Sequence, residues 1–231
     1  MLQIIGLALI SWLLIWLLTK SNLSVLGLAP TLERLKYGGV LFVVSGLLAA
    51  TAFWLKMYIA QEEYVLASGL TLKAVLVDTW YQFRTVLTEE LICRGVLLYY
   101  LIKTIGQTKA IVITSVIFGI LHWFNAGVWG NLLQMAMVFT FTFAMGLLLA
   151  YAYARTFSLL IPFAIHFGWN LTQNYIFPGT EAGNHIFALG APPPEVTVSY
   201  VAFFIMLLIP KISVLVVNYV IIRQYRQALL P

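Results

Sequence analysis

Long apolar runs separated by short polar stretches dominate the chain. They occupy residues 2–18, 38–59, 89–105, 110–124, 131–154, 158–177 and 197–222. Most approach the roughly 20 residues an α-helix needs to cross the hydrocarbon core of a bilayer. The pattern therefore predicts an all-α fold, a polytopic membrane helical bundle of about seven transmembrane helices. The run at 110–124 is the shortest, which places it inside the bundle. Residues 60–88 read differently, with Glu62, Glu63, Lys73, Asp78 and Arg84 set among apolar residues. That mixture predicts one amphipathic segment before span three, lying at the interface or leading into the span. No basic residue precedes the first run and no small-residue cleavage site directly follows it, so it reads as a retained span and not a signal peptide. The loop 178–196, with Glu181, Glu195 and three consecutive prolines, separates the last two spans.

Composition agrees with this picture. Of 231 residues, 62% are hydrophobic and 9% charged, against the roughly 25% charge of a soluble domain. The length suits a single integral membrane domain, 1–231. The formal charge of +5 is spread over the chain, and no Lys/Arg cluster forms a soluble basic face; nucleic acid is not an expected partner. The basic residues instead indicate orientation. Lys20, Arg34 and Lys36 follow span one, Lys103 and Lys109 lie between spans three and four, Arg155 follows span five, and Arg223 and Arg226 follow span seven. By the positive-inside rule the N-terminus is outside and the C-terminus inside, in a multi-pass protein of the cell membrane. Lys73 and Arg84 are the exception, offset by nearby acids. Cys93 is the only cysteine and sits in an apolar run, as a small buried hydrophobe would.

Against this apolar background the in-span polar residues carry the information. A charge at a helix centre costs roughly 2.5–3.5 kcal/mol on insertion scales, and such residues usually face a cavity and mark function. Span three opens with Thr88-Glu89-Glu90-Leu91-Ile92-Cys93-Arg94. Glu90 and Arg94 are four apart and share a helix face, so they can pair; Glu89 is turned about 100° away and is left over. Acids at a helix N-terminus are ordinary, but an acid pair with an in-span arginine is less so. Span four ends with Phe118-Gly119-Ile120-Leu121-His122, and span six holds His166-Phe167-Gly168-Trp169-Asn170. Each group alone has a plain reading, a packed interfacial histidine or an interhelical hydrogen bond. Two of the chain's three histidines nevertheless lie within spans; His185 reads as a surface residue of the last loop. Counting depth at about 1.5 Å per residue brings Glu89, His122, His166 and Asn170 together in the outer half of the membrane.

A carboxylate and an imidazole on neighbouring helices can hold a water between them, and a second histidine with an asparagine can donate to an oxyanion. That set makes a peptide hydrolase without a serine or cysteine nucleophile. The same Glu-His-His set can also ligate a metal, although the His-Glu-x-x-His motif of zinc proteases is absent. A non-catalytic immunity or scaffold protein of the same fold, or a small ion-binding transporter, is the alternative of another class.

Glu-Glu-x-x-x-Arg at 89–94, Phe-x-x-x-His at 118–122 and His-x-x-x-Asn at 166–170 resemble the three ordered motifs of the CPBP family, the CAAX-protease and bacteriocin-processing membrane proteins also called Abi or Rce1-like. The matching stretch, about 80–175, is the expected catalytic core. The resemblance implies an intramembrane endopeptidase, similar to CAAX prenyl protease 2, acting on a membrane-associated peptide or protein precursor. It implies Glu89 as general base, His122 as its partner in activating water, His166 and Asn170 as the oxyanion hole, and Glu90 with Arg94 as a structural pair. It also implies no cofactor; zinc on Glu89, His122 and His166 is the alternative. Cys93 stands where the family often has Phe, which changes packing beside the site and not the chemistry.

Overall fold

The computed structural model describes residues 2–177 and 185–225; Glu181 and Arg226 lie outside them. Its helices are α1 (Leu2–Thr19), α2 (Leu32–Ile59), α3 (Leu72–Glu90), α4 (Leu98–Ile105), α5 (Gln107–Leu121), α6 (Leu132–Thr156), α7 (Leu160–Leu171) and α8 (Tyr200–Gln224). Short polar side chains start several of them by accepting a backbone N–H of the first turn: Thr31 from Arg34, Thr71 from Ala74, Asn131 from Gln134 and Ser199 from Ala202. Gly106, at a φ of 86°, separates α4 from α5, a conformation glycine adopts without strain. Two π-helical segments interrupt the bundle, Leu91–Leu97 between α3 and α4 and Thr172–Ile176 after α7.

The fold is nearly all helical, as the pattern requires. Four helices are long and apolar enough to cross a membrane: Leu32–Ile59, Gln107–Phe124, Leu132–Thr156 and Tyr200–Gln224. The other three runs of the seven-span reading fall on α1, on the joined α3 and α4, and on α7. Large apolar side chains point outward from several helices, among them Trp12, Trp16, Leu47, Phe203 and Phe204. Such faces suit lipid and not water.

Of the two readings of the amphipathic segment, the structure has the one that leads into span three: α3, the π-helical segment and α4 form one helical column from 72 to 105, kinked at Gly95. Lys73, Asp78 and Arg84 lower the hydropathy there, but no proline or glycine occurs between 72 and 90 to end the helix. One feature departs from the sequence reading, a two-stranded antiparallel sheet, β1 (Tyr64–Leu66) with β2 (Phe187–Leu189), in which Tyr64 faces Leu189 and Leu66 faces Phe187. It ties the loop after α2 to the loop after α7. His185, beside β2, is half-buried.

Small residues set the helix spacing. On α2 and α7, Gly38 meets Ala164, and Gly46 meets Thr172 and the Gly168 carbonyl. Small residues eight apart on α2, 38 and 46, and four apart at 164, 168 and 172 let the backbones approach closely, the usual way to pack helices in lipid. The tightest point is Gly168, where an added Cβ would stand 2.3 Å from the Phe42 carbonyl oxygen. Gly168→Val therefore lowers stability by roughly 1–3 kcal/mol, the range for an overpacked core. Gly39→Ala, with open space around its Cβ, changes little. Thermal unfolding of the two purified variants in detergent checks this; equal midpoints would contradict the packing argument. Ser45 adds a buried hydrogen bond to Asn218 at 3.2 Å, joining α2 to α8. Arg155, at the end of α6, donates to the carbonyls of Ile222, Arg223 and Tyr225 and so holds the end of α8.

Candidate active site

The helical column bends where the acids lie. Glu89 and Glu90 end α3, and the π-helical segment begins at the next residue. Gly95 within it leaves helical geometry at φ −74°, ψ −114°. A π-turn widens the backbone and is common at functional sites. Both acids are thereby held on regular helix immediately before a local irregularity, facing α5 and α7.

Glu90 and Arg94 form the buried half of the site. Glu90 Oε1 accepts from an Arg94 guanidinium nitrogen at 2.9 Å, and the two side chains are 0% and 1% exposed. The same oxygen accepts from His166 Nδ1 at 2.7 Å, which connects α3 to α7. Phe118 of α5 fills the space between. The Arg94 guanidinium lies 4.0 Å over its ring, and the rings of His122 and His166 meet it edge-on at 4.5 and 5.8 Å. Three side chains, Arg94, His122 and His166, are thus placed around one aromatic ring, which is 2% exposed. Such burial suits the charges only because they are mutually paired.

Glu89 points away from this pair. Its Oε2 stands 4.0 Å from His122 Nε2 and 3.7 Å from His166 Nε2, beyond direct hydrogen-bond distance. No side chain or backbone group among the described residues hydrogen-bonds that oxygen. His122 is oriented by its other nitrogen, which donates to the Phe118 carbonyl at 2.8 Å. In the neutral ring, Nε2 is therefore the acceptor edge turned toward Glu89. His166 Nδ1–H donates to Glu90, so its Nε2 likewise faces Glu89.

Two cavities meet at Glu89. One of about 140 Å³ is lined by Glu89, Ile92, Cys93, Phe118, Leu121, His122 and Asn125. The other, of about 300 Å³, is lined by Tyr81, Arg84, Thr85, Thr88 and Glu89. Glu89, His122 and His166 thus come together. Asn170 lies one turn beyond His166 on α7 and is half-buried, but lines neither cavity. Sequence reasoning passed over Asn125 and the Arg84 face. Asn125 reads as a turn residue, and Arg84 as decoration of an interfacial helix.

Among the described residues no group of three or more His, Cys, Asp or Glu side chains can hold a metal ion. A tetrahedral zinc with ligands at about 2.1 Å would keep them roughly 3.4 Å apart, closer than either separation from Glu89.

Residues 71–172 match the family model described as type II CAAX prenyl endopeptidase Rce1-like. The match covers somewhat under half of the 231-residue chain and contains all three polar motifs. No curated protein and no solved structure matches the chain.

Proposed function

Since residues 71–172 match the family model described as type II CAAX prenyl endopeptidase Rce1-like, we propose that this chain is an intramembrane endopeptidase in which Glu89 and His122 activate the hydrolytic water. The observation that carries the reading is the 4.0 Å separation of Glu89 Oε2 from His122 Nε2. It is too long for a direct bond and suits one shared water. A water about 2.8 Å from both atoms subtends an angle near 90°, within the range its two O–H groups can serve. With both protons donated, its lone pairs are left for the scissile carbonyl carbon. Glu89 accepts a proton as the C–O bond forms, then delivers it to the departing amine nitrogen as the C–N bond breaks. No protein nucleophile and no metal is required.

The oxyanion falls to His166 and Asn170 in this proposal. With Nδ1–H committed to Glu90, His166 donates from Nε2 only when the ring carries both protons. The positive charges of His166 and Arg94 are then balanced by Glu89 and Glu90. Asn170 reaches the oxyanion through movement of the segment that follows His166. The substrate is a membrane-associated peptide or protein; a leader peptide, a bacteriocin or pheromone precursor and a lipid-modified tail are the classes to be tested.

The test compares peptide N-termini from cells carrying the wild-type protein with those carrying Glu89→Ala. New termini that vanish in the variant establish proteolysis and name the substrate. No difference, with both proteins well expressed, moves the reading to a non-catalytic membrane protein of this fold. Metal analysis of the purified wild-type protein belongs with it: stoichiometric zinc, lost in His122→Ala, would replace the metal-free mechanism.

A further inference from the structure

Glu89 stands at the junction of two cavities of opposite character. On one side Ile92, Cys93, Phe118 and Leu121 form an apolar wall. On the other lie Tyr81, Arg84, Thr85 and Thr88, one face of α3. Arg84 is the cation of that second cavity. Among the described residues it makes no ion pair and no hydrogen bond; its contact is with the Tyr81 ring, 5.4 Å from the guanidinium carbon. The Arg94 guanidinium, by contrast, is 1% exposed and already paired with Glu90 through one terminal nitrogen and seated over the Phe118 ring, its other terminal nitrogen having no hydrogen-bond partner among the described residues.

The threonines point the same way. Within the helices of this protein, threonine hydroxyls usually donate to the carbonyl four residues back, as Thr114, Thr140, Thr142 and Thr156 do. Thr88 does not, and its hydroxyl oxygen is buried without a partner. An unpaired guanidinium and an unpartnered buried hydroxyl thus line a cavity of about 300 Å³ whose one acid, Glu89, is the proposed base and is left to the hydrolytic water. A planar guanidinium is matched by a carboxylate, which it holds with two parallel hydrogen bonds.

We propose that Arg84, with Thr88, is a specificity subsite that binds a carboxylate of the peptide substrate on one side of the scissile bond, opposite an apolar residue held by Ile92, Phe118 and Leu121. Arg84 and Glu89 are five residues apart, about 7.5 Å along the helix. An extended peptide covers that in roughly two residues. The carboxylate therefore belongs about two residues from the bond that is cut, either as the substrate's C-terminus or as a glutamate or aspartate side chain. This inference rests on the proposed peptidase reading of Glu89.

The experiment uses the full chain in proteoliposomes and three internally quenched octapeptides of one apolar sequence. The first ends in a free carboxylate two residues beyond the intended bond. The second is amidated there. The third is amidated and carries glutamate at that position. Wild type is expected to cut the first or the third with a KM about tenfold below that of the amidated neutral peptide, at similar kcat. Which of the two is preferred tells a C-terminal carboxylate from a side chain. Arg84→Gln is expected to erase the preference by raising KM, and Arg84→Lys to restore part of it. Equal cleavage of all three peptides by wild type, or a preference that survives Arg84→Gln, overturns the subsite and leaves the peptidase reading standing. Cleavage of none of them by wild type counts against both.

Discussion

Glu89→Gln slows peptide hydrolysis by about 10²–10⁴-fold, the contribution of a well-placed acid–base group, while its membrane insertion and folded yield match the parent protein. The substitution keeps the shape of the side chain and removes its ability to take a proton. Folding is spared because of how Glu89 is placed. Its Oε2 makes no hydrogen bond among the described residues, and its side chain is 31% exposed. Replacing it breaks no direct hydrogen bond of that oxygen. Cleavage rate on a reconstituted peptide substrate, measured beside the monodisperse yield in detergent, decides the matter. Full activity in the variant would remove Glu89 from the role of base.

The neighbouring acid behaves in the opposite way. Glu90→Ala leaves Arg94 buried without its carboxylate, and Arg94→Ala does the reverse. Breaking a buried ion pair on one side typically costs about 3–5 kcal/mol, a large part of the roughly 5–15 kcal/mol that holds a domain together. Both variants are expected to lose folded yield at least as much as rate. The double variant Glu90→Leu/Arg94→Met recovers part of the yield, because no unpaired charge remains. It stays slow, since His166 has lost the acceptor that orients its ring through the 2.7 Å contact. Single variants with normal yield and no activity would place the pair in the chemistry instead.

The difference between two adjacent glutamates was legible in the sequence. Four-residue spacing pairs Glu90 with Arg94 and leaves Glu89 turned elsewhere, and their side chains meet at 2.9 Å. In an apolar chain each in-span polar residue stands out, so Glu89, His122 and His166 could be picked from three runs far apart in sequence, and the fold gathers them. What the pattern hid has physical reasons. Hydropathy measures lipid preference and not helix continuity, so Asp78 and Arg84 lower the apolar signal of a helix, Leu72–Glu90, that leads directly into span three. The strands at 64–66 and 187–189 are three residues each and pair across most of the chain, too short for alternation to show. Lys211 was absorbed into the seventh apolar run; it sits near the middle of α8, donating to the Leu207 carbonyl beside the Phe141 ring. Asn170 shows the limit in the other direction. Its spacing from His166 fixes a shared face of α7 but not how far the amide reaches, and it lines neither cavity at Glu89.

The π-helical segment between α3 and α4 acts as an indexing device. Upstream of it the column packs against α7, and downstream against α5. In an unbroken α-helix each residue advances the face by about 100°, so the two halves would be locked in a single angular phase. The wider turns at 91–97 change that phase, letting Arg84 and Glu89 open onto cavities while Leu98, Tyr99 and Ile102 turn into the core. The number of residues in this segment then matters more than most of their identities. A one-residue deletion at 95–97 would leave every polar motif readable in the sequence and turn the acids out of register with the helices that follow.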